Sequence, residues 1–490
     1  MSLKLFGKNA VIYAIGTAGL RATGFLLIPI YTHFLSLSDY GLLATLLLTI
    51  NFMVTLMDVG LRSGLMRFAK EYSNENKFKY LFGSMVFINL CSGVVVTLIA
   101  MFFLQPLFEK VLHTENVSIF ILLACLASVT QSLSLNIMSY YRAMNEGLKY
   151  MIRNLSVAGL LIISNLFLFV LLDAGIEGAL LAYIISYGAV TIVVSFKVFP
   201  RIGFGLSKDI LTRMVKYSAP LILATGGFTI METTAAYFLS YFSSLEQVGI
   251  YNLGYRIAGI SSMIIILPFQ LAYEPFLFAN LGRPDIKEII SRLATYVTLA
   301  FTIIAFFVVF VFRDLISIIS PPEYFSSYFI IFLLLPGIAL HGFFYVGQSL
   351  LHIKNKTNIT GSVVFLFSIL SITLNYFFIQ NWGVTGLLIV YNTIWALMAL
   401  SFMKAGLSAF PVKLEIKRLI IVTLTFFSLL GFVYLMHDTA SFLYYTLVPA
   451  AFILIALSFY HGGFLDDKEK YYISKILKNF KLQDYKIVKD

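Results

Sequence analysis

Arg21 is the only formally charged side chain in the 27 residues from Asn9 to Leu35. A helix of about 20 apolar residues spans the hydrocarbon core of a bilayer. In lipid, such a segment must satisfy its own backbone, which a helix does. An arginine at that depth is costly and must face protein or water. The stretch therefore predicts a membrane helix with a polar space beside it, and the rest of the chain is read as what encloses that space.

Composition agrees. The chain is 59% hydrophobic and 12% charged over 490 residues, against about 25% charged in soluble domains. Hydropathy, turn and charge breaks predict fourteen spans: 9–35, 40–62, 80–104, 117–139, 154–172, 178–198, 217–243, 248–275, 292–312, 327–350, 360–379, 384–404, 417–436 and 441–461. The first is too long for a signal-peptide core and has no A-x-A-like cleavage site, so it is expected to stay as a span. Of the 35 basic residues, 31 fall in the termini and the even-numbered loops. Only Lys110 and Arg313 fall on the opposite side, whose short loops are acidic. This alternation predicts a cytoplasmic location for both termini, by the positive-inside rule. It also assigns the net charge of +11 to topology rather than to nucleic acid. Two basic segments have apolar stripes at helical spacing. One is Leu206, Ile210 and Met214 behind a cap at Ser207; the other is Ile473, Ile476, Leu477 and Phe480. Both are expected to lie on anionic headgroups.

The chain repeats itself at an offset of 208 residues. Ser36-Leu37-x-x-x-Gly41 returns as Ser244-Leu245-x-x-x-Gly249. Gly175-x-x-Gly178-x-Leu180-x-x-Tyr183 returns as Gly383-x-x-Gly386-x-Leu388-x-x-Tyr391. The same offset carries spans 1–6 onto spans 7–12. Two parallel six-span halves follow, related by an axis along the membrane normal, with any transport path between them. The expected organisation is an N-lobe at 1–198, a cytoplasmic linker helix at 199–216, a C-lobe at 217–406, two extra spans at 407–461 and a basic cytoplasmic tail at 462–490.

Arg21, Glu232 and Arg256 are the charges well inside spans. Each lies on a polar or small-residue stripe: Thr17, Arg21 and Gly24; Thr225, Thr229, Glu232 and Ala236; Asn252, Arg256, Gly259 and Met263. One reading is a structural ion pair between Glu232 and an arginine. The other is a cationic cavity for an anionic substrate, with Arg21, Arg256, Glu232, Asn252 and Thr229 as its wall. His341, Gln348 and Asn375 are further candidates for the lining, although polar side chains also bridge helices in membranes. Asp58, near a span end, is expected to make a local contact. Cys91 and Cys125 have no metal-ligand spacing and predict neither a metal site nor a disulfide. GxxxxGK[ST], GxSxG and HExxH motifs are absent, and no loop is long enough for a catalytic domain. These absences predict a transporter rather than an enzyme, with no resident cofactor. Coupling to H⁺ or Na⁺ through Glu232 stays open.

The stretches FLSLSDYG, DVGLRSGLMRFAKEY, LSKDILTRMVKYSAPLIL and LEQVGIYNLGYRIAG carry a resemblance. Through spans 1–12 the chain resembles the bacterial polysaccharide-repeat flippases (Wzx-type, polysaccharide transporter family) of the multidrug/oligosaccharidyl-lipid/polysaccharide export superfamily. The resemblance implies an all-α, MATE-like integral membrane fold with V-shaped lobes and a central cationic cavity. It implies movement of undecaprenyl-diphosphate-linked oligosaccharides across the cytoplasmic membrane for surface polysaccharide such as O-antigen or capsule. Implied partners are that lipid-linked substrate, membrane lipids and polymerase or assembly proteins, and no nucleic acid. A drug/cation exporter or lipid II flippase of the same superfamily, a major-facilitator carrier, and a membrane-embedded polymerase or ligase remain as alternatives.

Overall fold

The computed structural model describes residues 3–72, 75–105, 108–109, 117–354, 356–467 and 469–471, which are helical almost throughout, with no strand among them. The predicted first span is two helices, α1 (Leu3–Leu26) and α2 (Ile28–Phe34). They part at Leu27, just before Pro29, whose missing N–H and ring disrupt the helix on its N-terminal side. The first repeat continues as α3 (Leu37–Asp58), α4 (Leu61–Phe68), α5 (Glu75–Ile99), α6 (Val117–Ala143), α7 (Gly147–Leu166) and α8 (Gly175–Ile202). The second repeat holds α9 (Lys208–Phe242), α10 (Leu245–Ser261), α11 (Leu267–Ala279), α12 (Ile286–Ile319), α13 (Ser327–Ile353) and α14 (Thr357–Ala409). After these come α15 (Ile416–Met436) and α16 (Ser441–His461).

Among the described residues, eleven helical stretches are long and apolar enough to cross a membrane, where the sequence predicts fourteen spans. One of the differences has a local cause. α14 runs for 53 residues but breaks at Gly383, with φ 52° and ψ −131°. Predicted spans 11 and 12 therefore meet end to end with no loop. The first span is split at Leu27. Predicted span 7 lies within α9, which is continuous with charged turns carrying Lys208, Asp209, Arg213 and Lys216. The linker helix expected at 199–216 is thus not a separate element: 199–202 finish α8, 203–207 are non-helical, and 208–216 open α9. No Gly or Pro falls between 208 and 219 to stop that helix. Ser207 is extended there and makes no side-chain cap bond. The tail stripe from Ile473 to Phe480 lies outside the described residues.

Both repeated motifs have structural explanations. Ser36 and Ser244 are N-caps: their hydroxyls accept from the N–H of Asp39 at 3.0 Å and of Gln247 at 3.4 Å. Such caps satisfy one of the orphan N–H groups of the first turn. Gly41 and Gly249 then let α3 and α10 cross backbone to backbone. A Cβ on Gly41 would lie 1.8 Å from the Leu245 carbonyl oxygen, and one on Gly249 would lie 2.7 Å from that of Leu37. In the second motif, Gly175 and Gly383 both have positive φ, 50° and 52°, and each turns the chain before a buried leucine, Leu180 or Leu388.

Within the first repeat α1 lies along α7, and α6 along α8; within the second, α9 and α13 lie along α14. Across the repeats, α3 packs on α10 and α9, and one apolar core, including Leu43, Met57, Leu239 and Ile257, runs through both. The extra helices attach to the second repeat through α12. Phe306 stacks on Phe452 at 4.6 Å, and the Arg313 guanidinium sits 4.1 Å from the Tyr444 ring centre. At the opposite end, the root of the tail is fastened to the same repeat. Arg418 donates to both Glu469 carboxylate oxygens, at 3.0 and 2.8 Å, Tyr296 donates to Glu469, and Arg292 pairs with Asp466 at 3.1 Å.

Candidate functional site

The repeats are sealed together at the end that carries the acidic loops. There the Thr32 hydroxyl donates to the Ile319 carbonyl at 2.7 Å, and Tyr40 packs edge-on against Tyr324 at 5.7 Å. The Gly41–Leu245 crossing lies in the same layer. At the basic end, α4 meets α9 where Gly64 faces Ser218, and α1 meets α11. Between these layers Arg21, Asn51 and Glu232 are exposed, although each belongs to a helix long enough to lie within the membrane. Of these, Arg21 and Glu232 lie close enough to act on each other electrostatically across the repeat boundary.

The three in-span charges differ in their partners. Arg256 is tied down. Its Nε donates to Asn252 Oδ1 at 2.7 Å, and an Nη donates to the Gly24 carbonyl at 2.9 Å. Gly24 is in the last turn of α1, where carbonyls lose their in-helix partners. The break before Pro29 exposes an acceptor, and an arginine from the other repeat takes it. Asn252 is buried and also accepts from the Tyr40 hydroxyl at 3.4 Å. Glu232 accepts from the Tyr255 hydroxyl at 2.9 Å. The structure shows no ion pair between Glu232 and either arginine. Arg21 makes no hydrogen bond or ion pair among the described residues. It nevertheless lies close enough to Glu232 and Tyr345 of the second repeat to act on them electrostatically.

Glu232, Asn252 and Asn375 line one cavity of about 50 Å³ together with Tyr255, Ser371 and Tyr391. That volume holds a few waters and no sugar. Asn375 donates to the Ser371 hydroxyl at 3.2 Å, and its buried Oδ1 has no partner among the described residues. Thr229 lies elsewhere, 3.4 Å from Thr55 across the repeat boundary. His341 lies behind the cavity wall, its ring 3.6 Å from that of Trp395. Gln348 is not part of this wall. Asp58 pairs with Arg62 at 3.1 Å, one turn on. Tyr255 is absent from the sequence-based candidates. It adjoins Arg256 in the chain, but nothing in its local pattern marks it as the donor to Glu232.

The fold has solved counterparts. The inward-closed structure of the lipid II flippase MurJ matches over 93% of this chain and 100% of its own, at 13% identity and a TM-score of 0.74. A mutant of the Vibrio cholerae MATE transporter VcmN matches over 83% and 96%, at 18% identity and 0.58. A transporter of the same superfamily from Pyrococcus furiosus, described as having a binding pocket of reversed polarity, matches over 82% and 94%, at 15% and 0.58. No curated protein sequence matches the chain. This multi-pass membrane protein thus has the fold of membrane transporters and flippases. The sequence pattern of the polysaccharide biosynthesis protein family matches residues 6–280, more than half of the chain, and the chain belongs to that family.

Proposed function

We propose that the chain is a flippase for undecaprenyl-diphosphate-linked oligosaccharide units, serving surface polysaccharide synthesis in the bacterial cytoplasmic membrane. The observation that carries this reading is the guanidinium of Arg21, exposed on a helix of the first repeat that meets the second and, among the described residues, without a hydrogen-bond or ion-pair partner. A diphosphate is a dense anion whose geometry suits the planar fork of an arginine. The basic end, with both termini, is the proposed cytoplasmic side. The headgroup enters from there, meets Arg21, and leaves once the lobes rock and the acidic end opens, while the prenyl tail stays in lipid. An inside-negative potential favours this direction by about 2.3 kcal/mol per charge per 100 mV. Glu232 is the proposed carrier of a coupling H⁺ or Na⁺, and polymerase or assembly proteins are the proposed recipients of the glycan.

Arg21→Ala and Arg21→Lys, at matched expression, test this by the amount of surface polysaccharide. The expected result is loss in Arg21→Ala and partial retention in Arg21→Lys. Undiminished polysaccharide in Arg21→Ala overturns the role of the arginine.

A further inference from the structure

We propose that Glu274 and His352 form a proton-binding site that holds α11 against α13 and sets the position of α11 at the basic end. Glu274 is in α11 and His352 in the last turn of α13. His352 Nδ1 lies 2.8 Å from Glu274 Oε1, and the Ser349 hydroxyl donates to the same oxygen at 3.2 Å. The Thr360 hydroxyl, in the first turns of α14, lies 3.3 Å from His352 Nε2.

The donors follow from the chemistry. A carboxylate only accepts, so Nδ1 carries a proton in either state of the ring. In the neutral ring Nε2 is an acceptor, and Thr360 donates to it. A proton from water at the basic end adds to the Nε2 lone pair. The imidazolium then donates from Nε2, and the Thr360 hydroxyl turns to accept. A hydroxyl is the partner that can serve both states. The site therefore gains one proton without losing a hydrogen bond, and its charge goes from −1 to zero. Facing Glu274 are Ser349 and His352, both on α13. Glu274 acts electrostatically on Tyr273, its neighbour in the chain, and His352 and Ser349 act on Glu274.

The site is placed to move a helix. α11 is joined to α10 by a π-helical turn, Ser262–Ile266, and carries Pro268 at its start and Pro275 within. Both features interrupt the regular ladder that makes a helix rigid. One face of α11 is seated on the second repeat by Tyr273 and Leu277. Another meets α1, the helix that carries Arg21. A change of charge at Glu274–His352 is thus delivered to the boundary between the repeats at the basic end.

The test uses the full chain in lipid nanodiscs and needs no substrate, so its outcome is separate from the transport reading. Histidine is labelled with ¹³C and the His352 signal assigned with His352→Asn. Spin labels are placed at Ile15→Cys and Phe278→Cys, both exposed positions, after Cys91→Ala and Cys125→Ala. Over a pH series, the His352 signal is expected to report the gain of the proton, and the distance between the labels is expected to change over the same interval. Glu274→Gln and His352→Asn are expected to abolish the change in distance. Thr360→Val, which leaves the Glu274–His352 bond in place, is expected to shift the midpoint of the His352 titration. A His352 signal that stays constant, a distance change that persists in both pair variants, or an unmoved midpoint in Thr360→Val overturns the proposal.

Discussion

Gly41 and Gly249, equivalent positions of the two repeats, meet across the boundary between them. Gly41 lies against the Leu245 carbonyl and Gly249 against that of Leu37, itself the repeat equivalent of Leu245. The contact is self-complementary, as in a two-fold dimer, where residue i touches j and j touches i. The crossing of α3 and α10 therefore sits close to the axis that relates the repeats, and every added atom there is felt by both.

Gly41→Ala is expected to destabilise the protein by about 1–3 kcal/mol, the usual cost of overpacking. Gly249→Ala should cost less, because its Cβ would lie 2.7 Å rather than 1.8 Å from the facing carbonyl oxygen. Thermal unfolding midpoints of the purified variants check the order.

Arg256 and Arg21 are expected to separate in the same assay. Arg256→Ala takes the 2.7 Å donor from buried Asn252 and frees the Gly24 carbonyl, a loss of about 1–3 kcal/mol for an orphaned buried group. Arg256→Lys should recover little of it, since a lysine lacks the rigid fork that reaches both acceptors. Arg21→Ala removes no bond of the described structure and should leave stability within about 0.5 kcal/mol.

Gly383→Ala is expected to lower the unfolding midpoint more than Gly175→Ala. Both have positive φ, but Gly383 combines φ 52° with ψ −131° and has Ser243 Oγ 3.2 Å from where a Cβ would stand. Sparsely allowed backbone of this kind costs about 1–3 kcal/mol in a residue with a side chain.

The root of the tail should respond to acid in one direction. Burial pushes the Glu469 carboxyl up, but hydrogen bonds from Arg418 and Tyr296 outweigh that and hold it below the usual glutamate range. A carboxyl depressed in the folded state adds stability above its unfolded value of about 4.3. That contribution fades as pH falls through the lower, folded value. The segment should therefore stay docked at neutral pH and release only under strong acid, while Arg418→Ala releases it at neutral pH. Hydrogen exchange over residues 464–471 reads both.

Much of this architecture was legible because a membrane imposes long-range order on a sequence. The alternation of basic loops orders the spans, and a common offset in the SLxxxG and GxxGxLxxY motifs reveals the duplication. Those motifs are legible because caps and positive-φ glycines are local devices. The site is less so. Arg21 and Arg256 look alike in sequence, each on a small-residue stripe within a span. They differ because Arg256 finds a carbonyl freed by a helix break 232 residues away, and a local pattern carries no information about that. The Gly383 break hid from a reading that expects a loop between spans. Glu274 is absent from the sequence-based candidates, because its partner His352, 2.8 Å away, lies 78 residues on in the chain.

The fastening of α15, α16 and the tail root to α12 and its neighbours makes the two arms unequal. In the rocking motion proposed above, the second repeat carries two more membrane helices and their annulus of lipid, so viscous drag resists its rotation more. The first repeat is the lighter arm, and it swings further against the surrounding bilayer. Arg21 rides on that arm, while Glu232 and the aromatic wall behind it keep to the heavier one. The cation is then carried past a nearly stationary pocket.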